Sequence, residues 1–513
     1  MRRSTLARLA VAAVATAMVV TALSAPAGAE PPSVTSPAPL TAESGTRQAQ
    51  AEQALATVEA LAHPSAKAAA GAHRDATMAL RDLSLLKGAL PKSERAKAAS
   101  YLARPTKGTG GSPYLKYKVK EAKPVCGKKV CVHYVTKTAD KSTEAYAKQA
   151  LAVVTHVWQT YAKAGYKTPP GDGKLGGNKK FDVYLGQLAD DYLYGYVTTD
   201  QKRGKSRWSY GVFDNNYTDT VFNTHTPLQN LQVTAAHEFF HGVQYAYDVY
   251  EDAWFMEATA TWAEDELYPD VNDNLQYLTY GQLGQPQYPL DAFSGAIHYG
   301  NWIFFRYLSE KWPQAKAGLP TIVRSMWQKA GKKQYSIQAI SSVLKAKKSS
   351  FAKEFSLFSA KNRFSRTFYA EGAAQAYPEA PFADTIPLAA SARVGGTVKL
   401  RYHQSSAAWR LQPNGLGAGW KLRVKVDLAA PKQHQTAVVD TITGGTHSLQ
   451  LIKLNKKGKG SVTVPFVSGQ NQVAFTLVNA GTAYKCWKRT IFACQGKSKS
   501  NNIKGKITFT TVQ

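Results

Sequence analysis

Cysteine is scarce in this sequence, with four residues among 513. They form two tight pairs, Cys126/Cys131 in CGKKVC and Cys486/Cys494 in CWKRTIFAC. Neither pair has the CxxC spacing of a zinc knuckle, so both predict local disulfides in an oxidising compartment. Long apolar runs are missing too. The stretch from Leu9 to Leu23 falls short of the roughly 20 residues a membrane helix needs. Arg2 and Arg3 precede it and Ala27-Gly28-Ala29 follows, so residues 1–29 read as a signal peptide. No cysteine stands near that cleavage site, which argues against a lipid anchor. A secreted, extracellular protein without a membrane span is expected. Acidic residues are few as well: 35 against 64 Lys and Arg, a formal charge of +29. The cations are dispersed, as in KAKK at 345–348 and KLNKKGKG at 453–460, and no nucleic-acid motif accompanies them. A solvated basic surface with no specific nucleic-acid partner follows, one that would attract an anionic cell-wall polymer. Oligomeric state is not legible.

Without the signal, 513 − 29 = 484 residues remain, too many for one hydrophobic core. Residues 30–39 (EPPSVTSPAP) form a spacer, and 41–103 are Ala-rich and nearly free of aromatics, a composition for helices. A Gly/Ser-rich linker, KGTGGSP at 107–113, follows. Residues 30–113 therefore read as a helical propeptide or as an attached N-terminal region. From 114 to 386 strand patterns (VCVHYVT at 130–136, KFDVYLGQL at 180–188, SYGVFDN at 209–215) mix with helices, an α+β pattern. From 387 to 513, runs such as GTVKLRYH, WKLRVKVDL and NQVAFTLVNAG are separated by Gly, Asn, Pro and Lys. That spacing predicts a C-terminal antiparallel β-sandwich. Trp409, Trp420 and Trp487 are expected as its core aromatics, with carbohydrate or wall binding as the alternative.

The chemistry-bearing stretch is TAAHEFFHGVQYAYDVYEDAWFMEATATWAED, residues 234–265. Thr226, Pro227 and Gln229 supply a capping box and a first-turn proline for a helix that runs through it. His237 and His241, four apart, lie on one face of that helix, where two imidazoles can converge on one ion. Glu238, about 100° round the helix, can reach a ligand of that ion without binding it. His-Glu-x-x-His is the spacing with which zinc peptidases hold the metal and handle protons. A third ligand is needed. Gln244 and Tyr247 stand where a metzincin requires Gly and His, so that branch is excluded. Glu257 lies 257 − 241 = 16 residues past His241, on a segment that Asp252 can cap and that a short connection folds back. Glu264, two turns further along the same face, suits a carboxylate that orients a histidine.

HEFFH followed by WFMEATATWAE resembles the gluzincin metallopeptidases, above all the aminopeptidase branch with its W-x-x-E-[GA]-x-A-x-[YW]-x-E signature. Trp254, Glu257, Ala258, Ala260, Trp262 and Glu264 match that signature. HEFFHGVQYAYD, FDVYLGQL and HYGNWIFFRYL also resemble a family of secreted bacterial proteins assigned as metalloproteases, over roughly 130–375. The resemblance implies a zincin-like domain, one catalytic Zn2+ on His237, His241 and Glu257, and a peptide or protein substrate. It places Glu238 as general base and, before a helix, Tyr299 as oxyanion donor with His298 as the alternative. The His-to-Glu spacing is shorter than in familiar gluzincins, which leaves Glu264 as a second candidate ligand. No GxMEN-type motif is present, so amino-terminal specificity does not carry over. SYGVFDN is expected to be the sheet edge that pairs with substrate. Two other readings stay open: an inactive wall-binding protein on the same scaffold, and a zinc hydrolase of a non-peptide bond.

Overall fold

The computed structural model describes residues 46–62, 76–106, 113–417, 419–466, 470–487 and 493–513; the expected signal segment, the spacer 30–39 and residues 107–112 of the 107–113 linker lie outside them. It is a mixed α+β structure with several sheets and a β-rich C-terminal region. No helix among the described residues is long and apolar enough to cross a membrane. Both expected disulfides are present, Cys126–Cys131 and Cys486–Cys494.

Among the described residues three helices lead: α1 (Arg47–Ala62), α2 (Thr77–Leu86) and α3 (Lys92–Tyr101). Next come β1 (Val125–Cys126), β2 (Val130–His133), α4 (Glu144–Ala164), β3 (Phe181–Gly186), β4 (Gly195–Thr198) and β5 (Tyr210–Asp214). Thr143 caps α4 through the Tyr146 amide, and Gly165, at φ 87°, ends it in the left-handed conformation that glycine adopts without strain. The strands form one sheet in the order β1-β2-β3-β5-β4, parallel in the middle and antiparallel at both edges. SYGVFDN, expected at the edge, is thus internal. The edge is the four-residue β4, whose short GYVT run carries too little pattern to read from sequence.

Alternation splits the sheet between two cores. Val183, Leu185, Val197 and Phe213 face α4 and the helices that follow, whereas Tyr184, Tyr196, Tyr210 and Val212 pack with residues of the three leading helices. Burial on both faces explains why β3 and β5 have no exposed residue. Arg104, just past α3, enters this unit as a cation. Its guanidinium pairs with Asp172 (2.6 Å), Asp200 (2.9 Å) and Asp182, and is 7% exposed.

Beyond the sheet run α5 (Pro227–Asp248), α6 (Ala253–Leu267), α7 (Ile297–Gly300), α8 (Trp302–Lys311), α9 (Thr321–Ala330), α10 (Ser336–Ala346) and α11 (Phe351–Lys361). The capping box at Thr226 and Gln229 is present. Asp252 takes the N-cap position of α6 without capping it. Its carboxylate instead accepts from Ser336 Oγ (2.6 Å) and the Cys494 amide (2.7 Å), tying the second disulfide loop to the helices.

The C-terminal strands are β6 (Asp384–Leu388), β7 (Arg393–Leu400), β8 (Ser405–Pro413), β9 (Lys421–Asp427), β10 (Gln435–Thr443), β11 (Thr446–Leu451), β12 (Lys459–Pro465), β13 (Gln470–Asn479) and β14 (Ile503–Val512). They make two sheets, β11-β10-β13-β8-β6 and β12-β9-β14-β7, closed over one apolar core that includes Trp409. Pairing is antiparallel except between β6 and β8. Trp409 is fully buried and Trp420 packs partly against the core, but Trp487 is 57% exposed and touches Tyr335 edge-on, contrary to the expectation of a core role.

Candidate metal centre

Helix α5 is buried along almost its whole length, and α6 packs against it after a four-residue connection, 249–252. This hairpin brings His237, His241 and Glu257 together, with one potential ligand atom from each within 4.8 Å of the others. The Glu257 carboxylate lies 3.2 Å from His237 Nε2 and 3.6 Å from His241 Nε2. Glu257 and His241 have no exposure, and His237 is 8% exposed.

Both imidazoles are oriented from behind. His237 Nδ1 donates to Glu264 Oε1 at 2.5 Å, and His241 Nδ1 to Gln244 Oε1 at 2.8 Å. Gln244 is fixed in turn by donating to the Met256 carbonyl (2.9 Å) and Thr259 Oγ1 (3.1 Å). With each Nδ1 engaged, both Nε2 atoms are turned toward Glu257, and His237 Nε2 hydrogen-bonds its carboxylate at 3.2 Å. Sequence reasoning noted Gln244 only as a departure from another motif. Its position three residues after His241, on the same helix face, was the available signal.

Burial opposes protonation of His237, but Glu257 and Glu264 outweigh it and hold the imidazole well above its ordinary value. Burial also works against ionisation of Glu257, yet His241 and His237 prevail and keep its carboxyl well below the usual range. Burial pushes Glu264 up to about 7 and also raises Glu238. Two buried atoms at the centre, His241 Nε2 and Glu257 Oε1, have no hydrogen-bond partner. Such orphans cost roughly 1–3 kcal/mol each. A metal ion held by this N,N,O donor set would satisfy both, so these residues could hold one.

Glu238 is 4% exposed, and its Oε2 accepts from the Thr77 hydroxyl at 2.9 Å. Tyr299 lines the cleft beside it with Tyr194, Tyr277 and Asp273 around a free space of ≈ 50 Å³, its ring centroid 6.2 Å from that of His237. His298 is buried behind Tyr299, and burial lowers its imidazole to about 4. Tyr194, Tyr277 and Thr77 carried no sequence signal, because nothing local marks contacts made across so many residues.

In comparison with known proteins, residues 128–483 match the family of unknown function DUF6055. The match spans more than half of the chain, so the chain belongs to that family, and all the metal-centre residues fall inside it. No curated protein is significantly similar to it. Similar solved structures include the pre-peptidase C-terminal domain of a collagenase from Bacillus anthracis, at 7% identity and TM-score 0.16, covering 26% of this chain and 97% of that one. Another is the Aeromonas hydrophila periplasmic lysozyme inhibitor PliG, at 14% identity and TM-score 0.15, covering 25% and 99%.

Proposed function

We propose that this chain is a secreted zinc-dependent peptidase whose zincin-like domain spans the five-stranded sheet and helices α4 to α11. The observation that carries the reading is the buried His237–His241–Glu257 cluster, with its two unpartnered central atoms and both imidazoles oriented from behind. Zinc bound there would supply a Lewis acid that makes water nucleophilic near neutral pH and polarises a carbonyl. Glu238, beside His237 on the helix, takes the proton of the attacking water and delivers it to the leaving amine. Its raised carboxyl suits a base that must also give the proton up. Tyr299, on the cleft wall, donates its hydroxyl to the developing oxyanion. A substrate main chain pairs with the edge strand β4, which borders α5.

The test compares the unmodified protein with Glu238→Gln, measuring bound zinc and cleavage of a peptide library. Equal zinc in both and a rate about 10²–10⁴ lower in the variant are expected. Bound zinc with equal rates would remove Glu238 from the mechanism, and absence of zinc would remove the metal centre.

A further inference from the structure

We infer that helix α2 is a built-in occupant of the substrate cleft, holding the site closed by taking the contacts a peptide would make. The inference rests on the peptidase reading above and concerns the regulation of that same site. Thr77, Arg81 and Ser84 recur at helical spacing and so share one face of α2, and all three side chains are buried. That face is turned toward the metal-centre unit. The Thr77 hydroxyl accepts from the Val197 amide of edge strand β4 at 2.9 Å and donates to Glu238 Oε2 at 2.9 Å. Arg81 donates to the Glu251 carbonyl at 2.9 Å, just before α6, and Ser84 Oγ accepts from Arg207 at 3.0 Å. The adjacent flank of α2, through Leu80 and Leu83, is buried with the other leading helices.

One hydroxyl thus engages both parts of the proposed machinery. It takes an amide on the strand offered to the substrate main chain, and it occupies the carboxylate that must accept a proton from water. Burial under α2 would orphan the Val197 amide and the Glu238 carboxylate, so the helix that covers them has to supply polar partners, and the single Thr77 hydroxyl supplies both. Hydrolysis therefore requires α2 to withdraw from β4.

The experiment uses the full chain with Thr77→Val, Arg81→Ala and the double substitution. In metal-free protein, Glu238 is labelled with a water-soluble carbodiimide and an amine, and modification is read by mass spectrometry. Loss of a hydrogen bond to a charged group predicts labelling about tenfold faster or more in the double variant. Zinc-loaded samples of the same variants should cleave a peptide library faster by a similar factor. Unchanged Glu238 labelling in variants with native unfolding curves overturns the inference. Faster labelling with no cleavage by any form leaves the closure standing and sinks the peptidase reading instead. A measurement on the unmodified chain covers variants that fail to fold. Hydrogen exchange at the Val197 amide should be as slow as at Val212 in the sheet interior, and exchange at the rate of an open edge overturns the inference.

Discussion

Replacing Glu257 by Gln removes the negative charge that lies 3.2 Å and 3.6 Å from the two imidazole Nε2 atoms, in a site with no solvent access to the carboxylate. Groups that only orient a ligating histidine contribute about 10–100-fold to metal affinity, and Glu264 and Gln244 occupy that position. A carboxylate that also brings charge to the ion must exceed them. Glu257→Gln is therefore expected to weaken zinc binding by at least about 100-fold, roughly 2.7 kcal/mol, and Glu264→Gln by about 10–100-fold. The difference can be read as stability. At a zinc concentration of about 100 times the wild-type Kd, the unmodified protein gains roughly 2.7 kcal/mol. At that concentration Glu257→Gln, its Kd raised to match, gains only about 0.4 kcal/mol. Chelator competition gives the affinities, and denaturant unfolding with and without zinc gives the stabilities. Melting of the metal-free forms checks that the fold survives. Equal stabilisation of Glu257→Gln and wild type, or a larger loss for Glu264→Gln than for Glu257→Gln, would refute the ligand assignment.

Other outcomes follow from the same geometry. Tyr299→Phe should lower kcat about 10²–10³-fold with little change in KM; an unchanged kcat transfers the oxyanion role to His298. Burial pushes Glu266 up to about 8 although Arg306 lies 3.9 Å away. A folded value raised above the unfolded one gives stability that is complete below about pH 4.5 and is lost as pH rises through 8. Glu266→Gln should accordingly flatten the fall in denaturant stability between pH 5 and pH 8 by on the order of 2 kcal/mol, and an identical slope in both proteins counts against a raised Glu266 carboxyl. Trp409→Ala, at a fully buried side chain in the C-terminal core, should cost about 3–5 kcal/mol, visible as an earlier unfolding transition.

What could be read from the sequence was what the backbone repeats locally. His237 and His241 share a face because a helix turn is short, and the Thr226–Gln229 box fixes where that helix begins. Glu257 was within reach because a brief connection allows one antiparallel return. The C-terminal strands announced themselves by alternation, seen as the strict exposed–buried rhythm of β9. Contacts set by tertiary placement were not legible. Thr77 meets Glu238 across 161 residues. Edge or interior status depends on which neighbours a strand finds, so β5 was misplaced and β4 was not seen. Asp252 had a capping residue's identity and position, yet three distant donors claimed its carboxylate. Trp487 looked like core by residue type alone, and only the path of its loop leaves it in solvent.

Arg104 gives the leading hundred residues an electrical role. The carboxylates around it belong to Asp172, Asp182 and Asp200, all contributed by chain that follows the linker. Even with the guanidinium present, burial pushes Asp172 up to about 6. A chain starting at residue 114 would gather these acids with their counterion deleted, and stripping one partner from a buried ion pair costs about 3–5 kcal/mol. Its assembly would then be favoured by acid, Asp172 taking up a proton in place of the missing cation. The neutral-pH stability of the metal-centre unit is therefore borrowed from a residue that lies before the linker.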